Sequence, residues 1–525
     1  MEIKKEKLTL KLNENIEELK KEIEELEQLL KTVKNETEQK ILAGKTQMIG
    51  KSKNIKPRSR QEHSENISQI SSEMIKRIYE EAIPKNLKEK EIYKLNLKKD
   101  ILYTKIISLA HDLGHTPYGH LGERIVNDYV RKYPIKEIDT QKIIKKRIKI
   151  FGKEYEESQG HSENFKGKIS FQHNEKSAEI IDKIIEQEGI KKDYINKKRI
   201  IQGVLCHSTS RVKEENVPDD LVIQIIRLND KTEYINFDYE EIKKYINIEE
   251  IEEKEIKEFA KKELKEKIEQ IIEEVVKEGI QKGRISEKME GIKILKKLRK
   301  QYEKIMFITE EDGKNGLLIE ENTERITIII KKLLKYYSNH IEETEGEKIR
   351  LVHPIKEDSK EKGEKIKIES IKKNKTDIEK VVEYICNMDD NQIEQTYKRL
   401  VRSRIVNGKN YGIEPITKEE IKELQKQQFQ KEIDKLKYKD LEENELQHSD
   451  DEYKEQIINK NKQIKEILNE KGYKQIEEIR KKHQEENKKD EKYLEMLKIA
   501  DEKRKENGKL ELKEKIKIRE EVKEI

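Results

Sequence analysis

The segment from residue 111 to residue 120 reads HDLGHTPYGH and directly follows ISLA, the end of a helical run. It contains three imidazoles and a carboxylate, and the adjacent His111 and Asp112 offer nitrogen and oxygen ligands from one point of the chain. Mixed ligand sets of this kind suit divalent first-row metals or magnesium. The glycines just beyond the pair allow the backbone to approach a ligand closely. The segment therefore predicts a metal site, although a His-Asp pair alone is common and the prediction depends on the rest of the chain.

Histidine is concentrated around this segment. Seven of the 11 histidines lie in the 145 positions from 63 to 207, where about three would lie if they were spread evenly. Apolar residues near them recur at helical spacing. They are Ile67, Ile70, Met74 and Ile78, then Ile101, Ile106, Ile107 and Leu109, then Ala178, Ile181, Ile184 and Ile185, then Val222, Ile225, Ile226 and Leu228. The surroundings of the candidate site are thus predicted to be helical.

The composition of the 525 residues favours a mostly helical chain. Charged residues make up 43%, but 115 Lys and Arg nearly balance 110 Asp and Glu, which leaves a net charge of +5. This balance argues against a protein that coats polyanions, and also against simple disorder, which needs high net charge. Because only 7 Pro and 21 Gly interrupt the chain, helices with many ion pairs and an Ile- and Leu-rich core are expected.

Several classes of protein are excluded by what the sequence lacks. Cys206 and Cys386 cannot form a disulfide framework, so they fit a reducing compartment and are interpreted as core residues. The first residues show no secretory signal, and ITIII at 326–330, among the longest apolar runs, is strand-length at most. We therefore expect a soluble, cytoplasmic protein without a membrane partner.

Outside the histidine-rich region the chain is dominated by charge. Leu12, Ile16, Leu19, Ile23, Leu26, Leu30 and Val33 form a short a/d seam, which predicts either a coiled coil or an amphipathic helix docked on its own domain. Two polar turns, in 306–321 and 348–369, predict β-hairpins. Four domains follow from these patterns. They are a helix at 1–44, a core at 45–240 that holds the predicted metal site, a helical part with hairpin insertions at 241–414, and a charged helical extension at 415–525.

Six motifs, in one order along the chain, resemble those of the deoxynucleoside triphosphate triphosphohydrolases, the dGTPase-like family of the HD-domain phosphohydrolase superfamily. They are GKTQM (44–48), RSRQEHSENISQI (58–70), HDLGHTPYGHLGE (111–123), FQHNEKSAEII (171–181), DKTEYINFDYEE (230–241) and the looser VVEYICNMDDNQIEQTYKRL (381–400). The resemblance implies a mainly α fold, with an HD-domain helical core, small β-hairpins and charged helical extensions at both ends. It also implies hydrolysis of a dNTP, dGTP or another, to deoxynucleoside and tripolyphosphate.

The resemblance also implies roles for individual residues. The metal ligands are His63, His111, Asp112 and Asp230, which hold one divalent ion per site, Mn²⁺ or Mg²⁺ first, with Fe²⁺, Co²⁺ and Zn²⁺ as other candidates. The catalytic residues are His120, the acid for the departing 5′ oxygen, Glu123, which holds its tautomer, and His115. The substrate contacts are Arg60, His173 and Lys231 for phosphates, Tyr234 for the sugar ring, and Gln47 and Asp238 for the 3′-hydroxyl. No role follows for His207.

The resemblance implies partners for this chain, and the chain also differs from the family pattern at two places. Relatives form homo-oligomers, and some respond to a dNTP effector or to single-stranded DNA. This chain has NETEQKILAG where relatives carry an Arg-rich stretch before KTQ, and Phe237 where many carry His, so base preference and activator contacts stay open.

Two alternative functions also stay open. One is another HD-type nucleotide phosphohydrolase, a nucleotidase or a (p)ppGpp-type hydrolase. The other is an inactive HD scaffold that binds nucleic acid through its charged helices.

Overall fold

The computed structural model describes most of the chain between residues 15 and 417. The described ranges are 15–39, 42–46, 58–88, 90–132, 171–189, 195–208, 212–307, 323–340, 377–402, 405–406, 409–410 and 412–417, with scattered single positions beyond and between them. Most of these residues are helical, so the expected mainly α fold is confirmed.

The described helices fall into two compact units, which are taken separately. The first unit comprises the described residues up to His115 and from Arg131 to 307, and the second comprises 116–130 and the described residues from 323 to 436 and beyond 477. The first unit contains α1 (Ile16–Gln39), α2 (Arg60–Ala82), α3 (Lys85–Lys88), α4 (Glu91–Ala110), α6 (His173–Gln187), α7 (Lys197–Cys206), α8 (Leu221–Ile242), α9 (Lys254–Lys261), α10 (Leu264–Lys282) and α11 (Glu290–Phe307). The second contains α5 (Gly119–Val130), α12 (Thr323–Asn339), α13 (Asp377–Cys386), α14 (Asp390–Arg402), β1 (Ile405–Val406) and β2 (Lys409–Asn410).

The core of the first unit is built around α2 and α4. These helices pack on each other, α1 lies along α4, and α8 and α10 pack on α2. Their facing sides carry the Ile and Leu residues that sequence spacing places on one stripe, such as Ile67, Met74, Ile106 and Ile225, all fully buried. Burying one such side chain contributes about 1.5–3 kcal/mol, so this stripe is the main source of stability of the unit.

The first helix, α1, buries its apolar side against its own chain. Leu26, Leu29 and Val33 are fully buried and belong to the hydrophobic core of the first unit, and Leu19 is fully buried as well. Tyr103 of α4 donates a hydrogen bond to Glu22 of α1 at 2.6 Å. Of the two alternatives for this segment, the described residues therefore show docking on the same unit.

Strands contribute little to the described part of the chain. β1 and β2, of two residues each, pair antiparallel with Ile405 opposite Asn410. The run ITIII at 326–330 lies inside α12. Of the two predicted hairpins, 306–321 begins with the last two residues of α11 and otherwise lies outside the described residues, as 348–369 does entirely. Most of the extension predicted at 415–525 lies outside them too.

Candidate metal centre

Helix α2 begins at the candidate site because its sequence contains a capping box. Ser59 Oγ accepts a hydrogen bond from the Glu62 amide at 3.1 Å, and the Glu62 carboxylate accepts one from the Ser59 amide at 2.8 Å. The Arg60 amide donates to the Lys45 carbonyl at 2.9 Å, which attaches the GKTQM motif to the same helix start. His63 therefore lies in the first turns of α2, fully buried.

Three helices of the first unit bring the four predicted metal ligands together. His63 comes from α2, His111 and Asp112 follow the last residue of α4, and Asp230 lies in α8. His63 Nε2 is 3.1 Å from Asp230 Oδ1, and His111 Nε2 is 3.8 Å from that oxygen and 3.6 Å from Asp112 Oδ2. One donor atom from each of His63, His111 and Asp112 lies within 4.8 Å of the others. This spacing allows one ion to contact these three donors, and Asp230 Oδ1 lies beside the two imidazoles.

The His111 ring is oriented for a metal by its own helix. Its Nδ1 donates to the Ser108 carbonyl at 2.6 Å, so the lone pair of the neutral ring is on Nε2. Nε2 is buried and makes no hydrogen bond within the described part of the chain. A buried acceptor without a partner costs about 1–3 kcal/mol, which a bound cation removes.

The charges at the centre also fit a cation. Burial lowers the pKa of His63, but the Glu233 and Asp230 carboxylates outweigh burial and raise it to about 9. Burial raises the pKa of Asp112, yet Arg60 and the neighbouring imidazoles hold it well below its usual range. Burial likewise raises the pKa of Asp230, and its hydrogen bond to His63 lowers it further than burial raises it. Two ionised carboxylates and two imidazoles are available to a divalent metal once the ion takes the place of the His63 Nε2 proton.

Arg60, predicted to contact phosphates, is buried beside the metal ligands. Its Nη1 donates to Asp112 Oδ2 at 2.5 Å, and its Nε makes no hydrogen bond among the described residues. The ion pair keeps Asp112 in place, and the buried Nε remains a donor without an acceptor among the described residues.

A row of buried histidines continues from the metal ligands. His115 and His173 stack with ring centroids 4.4 Å apart, and His173 Nε2 lies 3.1 Å from His207 Nε2. The His207 ring meets the His111 ring edge-on at 4.9 Å. His207 Nδ1 donates to the Val204 carbonyl at 2.6 Å, just as His111 does to Ser108.

His207 is a site residue that reasoning from the sequence missed. Burial, with His111 nearby, lowers its pKa to about 3, so the ring is neutral. A usable signal was present, because His207 directly follows α7 as His111 directly follows α4. Asp112, His173 and His207 form a second set of donors within 4.8 Å of one another.

Helix α8 carries the other predicted substrate contacts on the side that holds Asp230. Tyr234 follows Asp230 by four residues and Asp238 follows it by eight. At 3.6 residues per turn, this spacing places the three residues on one face of the helix. The Arg299 guanidinium lies 4.8 Å above the Tyr234 ring and contacts its hydroxyl. Lys231 Nζ is 3.8 Å from Glu287, and burial together with the nearby Lys296 lowers the pKa of Lys231.

Two residues of the metal centre were not predicted from the sequence, Glu233 and Arg58. Glu233 Oε2 contacts His63 Nδ1, and Glu233 Oε1 accepts from Arg58 Nη1 at 2.5 Å. Arg58 Nη2 also donates to Asp238 Oδ1 at 2.9 Å. Glu233 lies within the motif at 230–241, but the resemblance assigns it no role, and acidic residues are common in this chain.

His120 and Glu123 lie in the second unit, at the start of α5. His120 Nδ1 is 3.2 Å from Glu123 Oε2, the imidazole is exposed and the carboxylate is buried. The turn before them is unusual, since Tyr118 has φ 57°, and its amide donates to Asp390 Oδ1 at 2.7 Å. Tyr118 also donates its hydroxyl to the Asp390 carbonyl at 2.9 Å. Asp390, from the motif at 381–400, thus holds the left-handed turn that starts α5. Gln47 lies outside the described residues.

These observations define a largely helical protein whose first unit contains a buried His and Asp set that can hold a divalent metal. None of the described helices has an apolar stretch long enough to span a lipid bilayer. No protein-family model matches the chain.

Comparison with known proteins adds relatives that share one name. A deoxyguanosinetriphosphate triphosphohydrolase-like protein of Caldanaerobacter subterraneus is 27% identical over 147 residues, which are 28% of this chain and 30% of that protein. Proteins of the same name from Rickettsia rickettsii and Rickettsia prowazekii are 59% and 56% identical over 39 residues, 7% of this chain and 10% of each relative. The matches therefore span less than a third of these relatives. Over the matched segments the chain is similar to dGTPase-like proteins, which confirms the resemblance predicted from its motifs.

Proposed function

We propose that this protein is an HD-type, metal-dependent triphosphohydrolase that cleaves a deoxynucleoside triphosphate into deoxynucleoside and tripolyphosphate. The observation that carries the proposal is the buried set of His63, His111 and Asp112, with the part-buried Asp230 Oδ1 3.1 Å from His63 Nε2 and 3.8 Å from His111 Nε2. The names of the relatives, all triphosphohydrolase-like, support the reaction class.

The residues around this set have distinct roles in the proposed reaction. A divalent ion held by the four ligands supplies Lewis acidity toward a phosphate oxygen. Arg60 holds Asp112 through one nitrogen and offers its free edge to a phosphate. His115 and His173, stacked and buried, line the phosphate path. Lys231 adds positive charge on α8, and Tyr234 packs against the sugar.

His120 is proposed as the general acid. Glu123 accepts a hydrogen bond from His120 Nδ1, so the imidazolium can release its Nε2 proton to the departing 5′ oxygen. Gln47 and Asp238 are proposed to bind the 3′-hydroxyl. We also propose that the protein is a homo-oligomer in the cytoplasm and that a dNTP effector or single-stranded DNA regulates it.

Product analysis tests the reaction. Each of the four dNTPs is incubated singly and in pairs with Mn²⁺ or Mg²⁺, and the products are separated by anion-exchange chromatography. Tripolyphosphate and deoxynucleoside support the proposal. Orthophosphate or pyrophosphate would indicate another HD-type phosphohydrolase, and no turnover under any condition would favour a binding scaffold.

The variant Asp112→Ala tests the site. It removes a metal ligand and leaves Arg60 without its partner, so we expect tripolyphosphate release to fall at least 100-fold, a loss of about 2.7 kcal/mol of transition-state stabilisation. The control is Glu269→Gln, which changes a half-exposed carboxylate paired with Arg77. Activity retained in Asp112→Ala contradicts the single-metal mechanism.

A further inference from the structure

We propose that Glu233 is a positioning residue for the metal, which holds the His63 ring so that its Nε2 faces the ion, and that Arg58 ties this support to Asp238. The inference rests on the metal site of the proposed function and goes beyond it, because none of the motif resemblances assigns a role to Glu233 or Arg58.

The Glu233 carboxylate is buried and fully engaged. The residue is 1% exposed and His63 is 0% exposed. Oε2 accepts from His63 Nδ1, while Oε1 accepts from Asn66 Nδ2 at 2.9 Å and from Arg58 Nη1 at 2.5 Å. A carboxylate buried without such partners is strongly destabilising, so these contacts keep the charge in place.

The contact with Glu233 determines which nitrogen of His63 can bind a metal. Because Nδ1 donates to the carboxylate, Nε2 is the ring nitrogen that can give a lone pair to a metal. Nε2 lies 3.1 Å from Asp230 Oδ1 and, when it carries a proton, donates a hydrogen bond to that oxygen. A bound cation takes the place of this proton between the two atoms.

Carboxylates that accept the second N–H of a metal-binding histidine orient the ring and raise its basicity. Glu233 has this relation to His63, whereas His111 uses the Ser108 carbonyl for the same purpose. Nδ1 of His63 therefore donates to a negatively charged carboxylate, whereas Nδ1 of His111 donates to a neutral carbonyl. The ring backed by the carboxylate is the stronger electron donor of the two.

Arg58 connects Glu233 to Asp238, the residue proposed to bind the sugar 3′-hydroxyl. Its two terminal nitrogens donate to Glu233 and to Asp238, and its guanidinium lies 4.6 Å from the Phe237 ring centroid. Phe237 is the position at which the chain departs from its resemblance, where many relatives carry His. Arg58 thus joins the metal ligand on α2 to the residues of α8 that were assigned to the sugar.

Mn²⁺ binding without nucleotide tests the inference. Free Mn²⁺ is measured by electron paramagnetic resonance in titrations of the full chain. We expect Glu233→Ala to weaken Mn²⁺ binding 10- to 100-fold, the range typical for the loss of such a partner. Glu233→Gln keeps an oxygen that can accept from Nδ1 but has no charge, so its affinity should fall between those of Glu233→Ala and the unchanged protein.

A matched control separates positioning from general damage. Glu269→Gln removes a carboxylate that pairs with Arg77, also on α2, but does not touch a metal ligand, so its Mn²⁺ affinity should be unchanged. The visible absorption spectrum of bound Co²⁺ should change in Glu233→Gln and stay the same in Glu269→Gln. Circular dichroism checks that each variant is folded.

The outcomes distinguish this inference from the proposed function. Folded Glu233→Ala and Glu233→Gln that bind Mn²⁺ as tightly as the unchanged protein, with an unaltered Co²⁺ spectrum, overturn the inference. If Glu233→Ala does not fold, Glu233→Gln and its Co²⁺ spectrum decide. Mn²⁺ binding that depends on Glu233 in a protein that releases no tripolyphosphate supports the inference and contradicts the proposed reaction. An unchanged protein that binds no Mn²⁺ contradicts both.

Discussion

Single atoms explain why the HDLGH turn tolerates little change. Gly114 lies where the turn meets the start of α6, and its amide donates to Ser177 Oγ at 2.9 Å. A Cβ on Gly114 would lie 2.5 Å from the Ser177 amide nitrogen and 2.7 Å from the Lys176 carbonyl carbon. These are backbone atoms of a helix and cannot rotate away. The close approach therefore requires glycine between the ligand Asp112 and the neighbouring His115.

We predict that Gly114→Ala is destabilising because α6 or the turn must shift. Overpacking of this kind costs about 1–3 kcal/mol in free energy of unfolding, measurable by urea denaturation. Since the turn carries two metal ligands, Mn²⁺ affinity should fall as well.

The control for this prediction is Gly189→Ala. Gly189 has φ 64° and no atoms within 4 Å of a built Cβ, so alanine there meets only backbone strain. Its Mn²⁺ affinity should stay unchanged. Equal Mn²⁺ affinity in both variants would contradict the close-packing explanation.

At the scale of elements, one ionic network joins four helices of the first unit. Asp100 of α4 accepts from the Tyr79 hydroxyl of α2 at 2.7 Å and from Arg199 of α7 at 2.6 Å. Arg199 also donates to Asp220, the N-cap of α8, at 2.6 Å. The network holds the helices that carry the metal ligands, although it contains none of the ligands itself.

We predict that Arg199→Met destabilises the protein by about 3–5 kcal/mol, because it leaves the buried Asp100 carboxylate without its cation. The matched control is Arg77→Met, which breaks an ion pair whose side chains are 29% and 41% exposed. Partly exposed pairs contribute about 0–1 kcal/mol. Denaturant unfolding of both variants measures the difference, and similar losses in the two would contradict the role given to the buried network.

The same network predicts a pH dependence. Burial raises the pKa of Asp100, but Arg199 and the Tyr79 hydroxyl outweigh it and lower the pKa below its ordinary value of 3.8. The ionised carboxylate therefore adds stability above pH 3.8, and this contribution is lost as pH falls through the lowered pKa. Asp100→Asn should be less stable than the unchanged protein at neutral pH, and the gap should narrow below pH 3.8. Unfolding curves between pH 7 and pH 3 measure the gap, and a constant gap would contradict the assignment.

At the scale of the whole molecule, the metal should stabilise the folded chain. A ligand that binds only the folded state adds about 2.7 kcal/mol when its concentration is 100 times the dissociation constant. We predict that Mn²⁺ raises the unfolding midpoint, followed by circular dichroism, and that Asp230→Asn removes most of this rise. The unfolding midpoint of Asp230→Asn with Mn²⁺ is compared with the midpoint of the same variant without Mn²⁺. A full Mn²⁺ effect in the variant would place the ion elsewhere.

Much of the fold followed from local patterns. The helices around 67–78, 101–109, 178–185 and 222–228 were predicted because apolar residues recur on one side of each. The docking of α1 was left undecided, since a short heptad seam suits a partner chain as well as its own domain. Burial of Leu19 and Leu26 within the first unit depends on α4, which begins about 70 residues later.

The candidate site was predictable only in part. The residue pair His111 and Asp112 stands out in the sequence, and resemblance supplied His63 and Asp230. Glu233 and His207 were missed because the resemblance assigns neither a role, although Glu233 lies in the motif at 230–241 and His207 in the histidine-rich region. Both became visible only when helices packed and placed their atoms beside known ligands.

By itself the sequence determined a mostly helical, nearly charge-balanced chain, the capping box that starts α2, the HD pair after α4 and the similarity to dGTPase-like proteins. Local propensities and adjacent residues suffice for these features. Tertiary structure alone decided that Glu233 backs His63, across a separation of 170 positions, and that Arg60 pairs with Asp112. These contacts depend on how helices cross, since hydrogen bonds form only when packing brings the two atoms to about 3 Å.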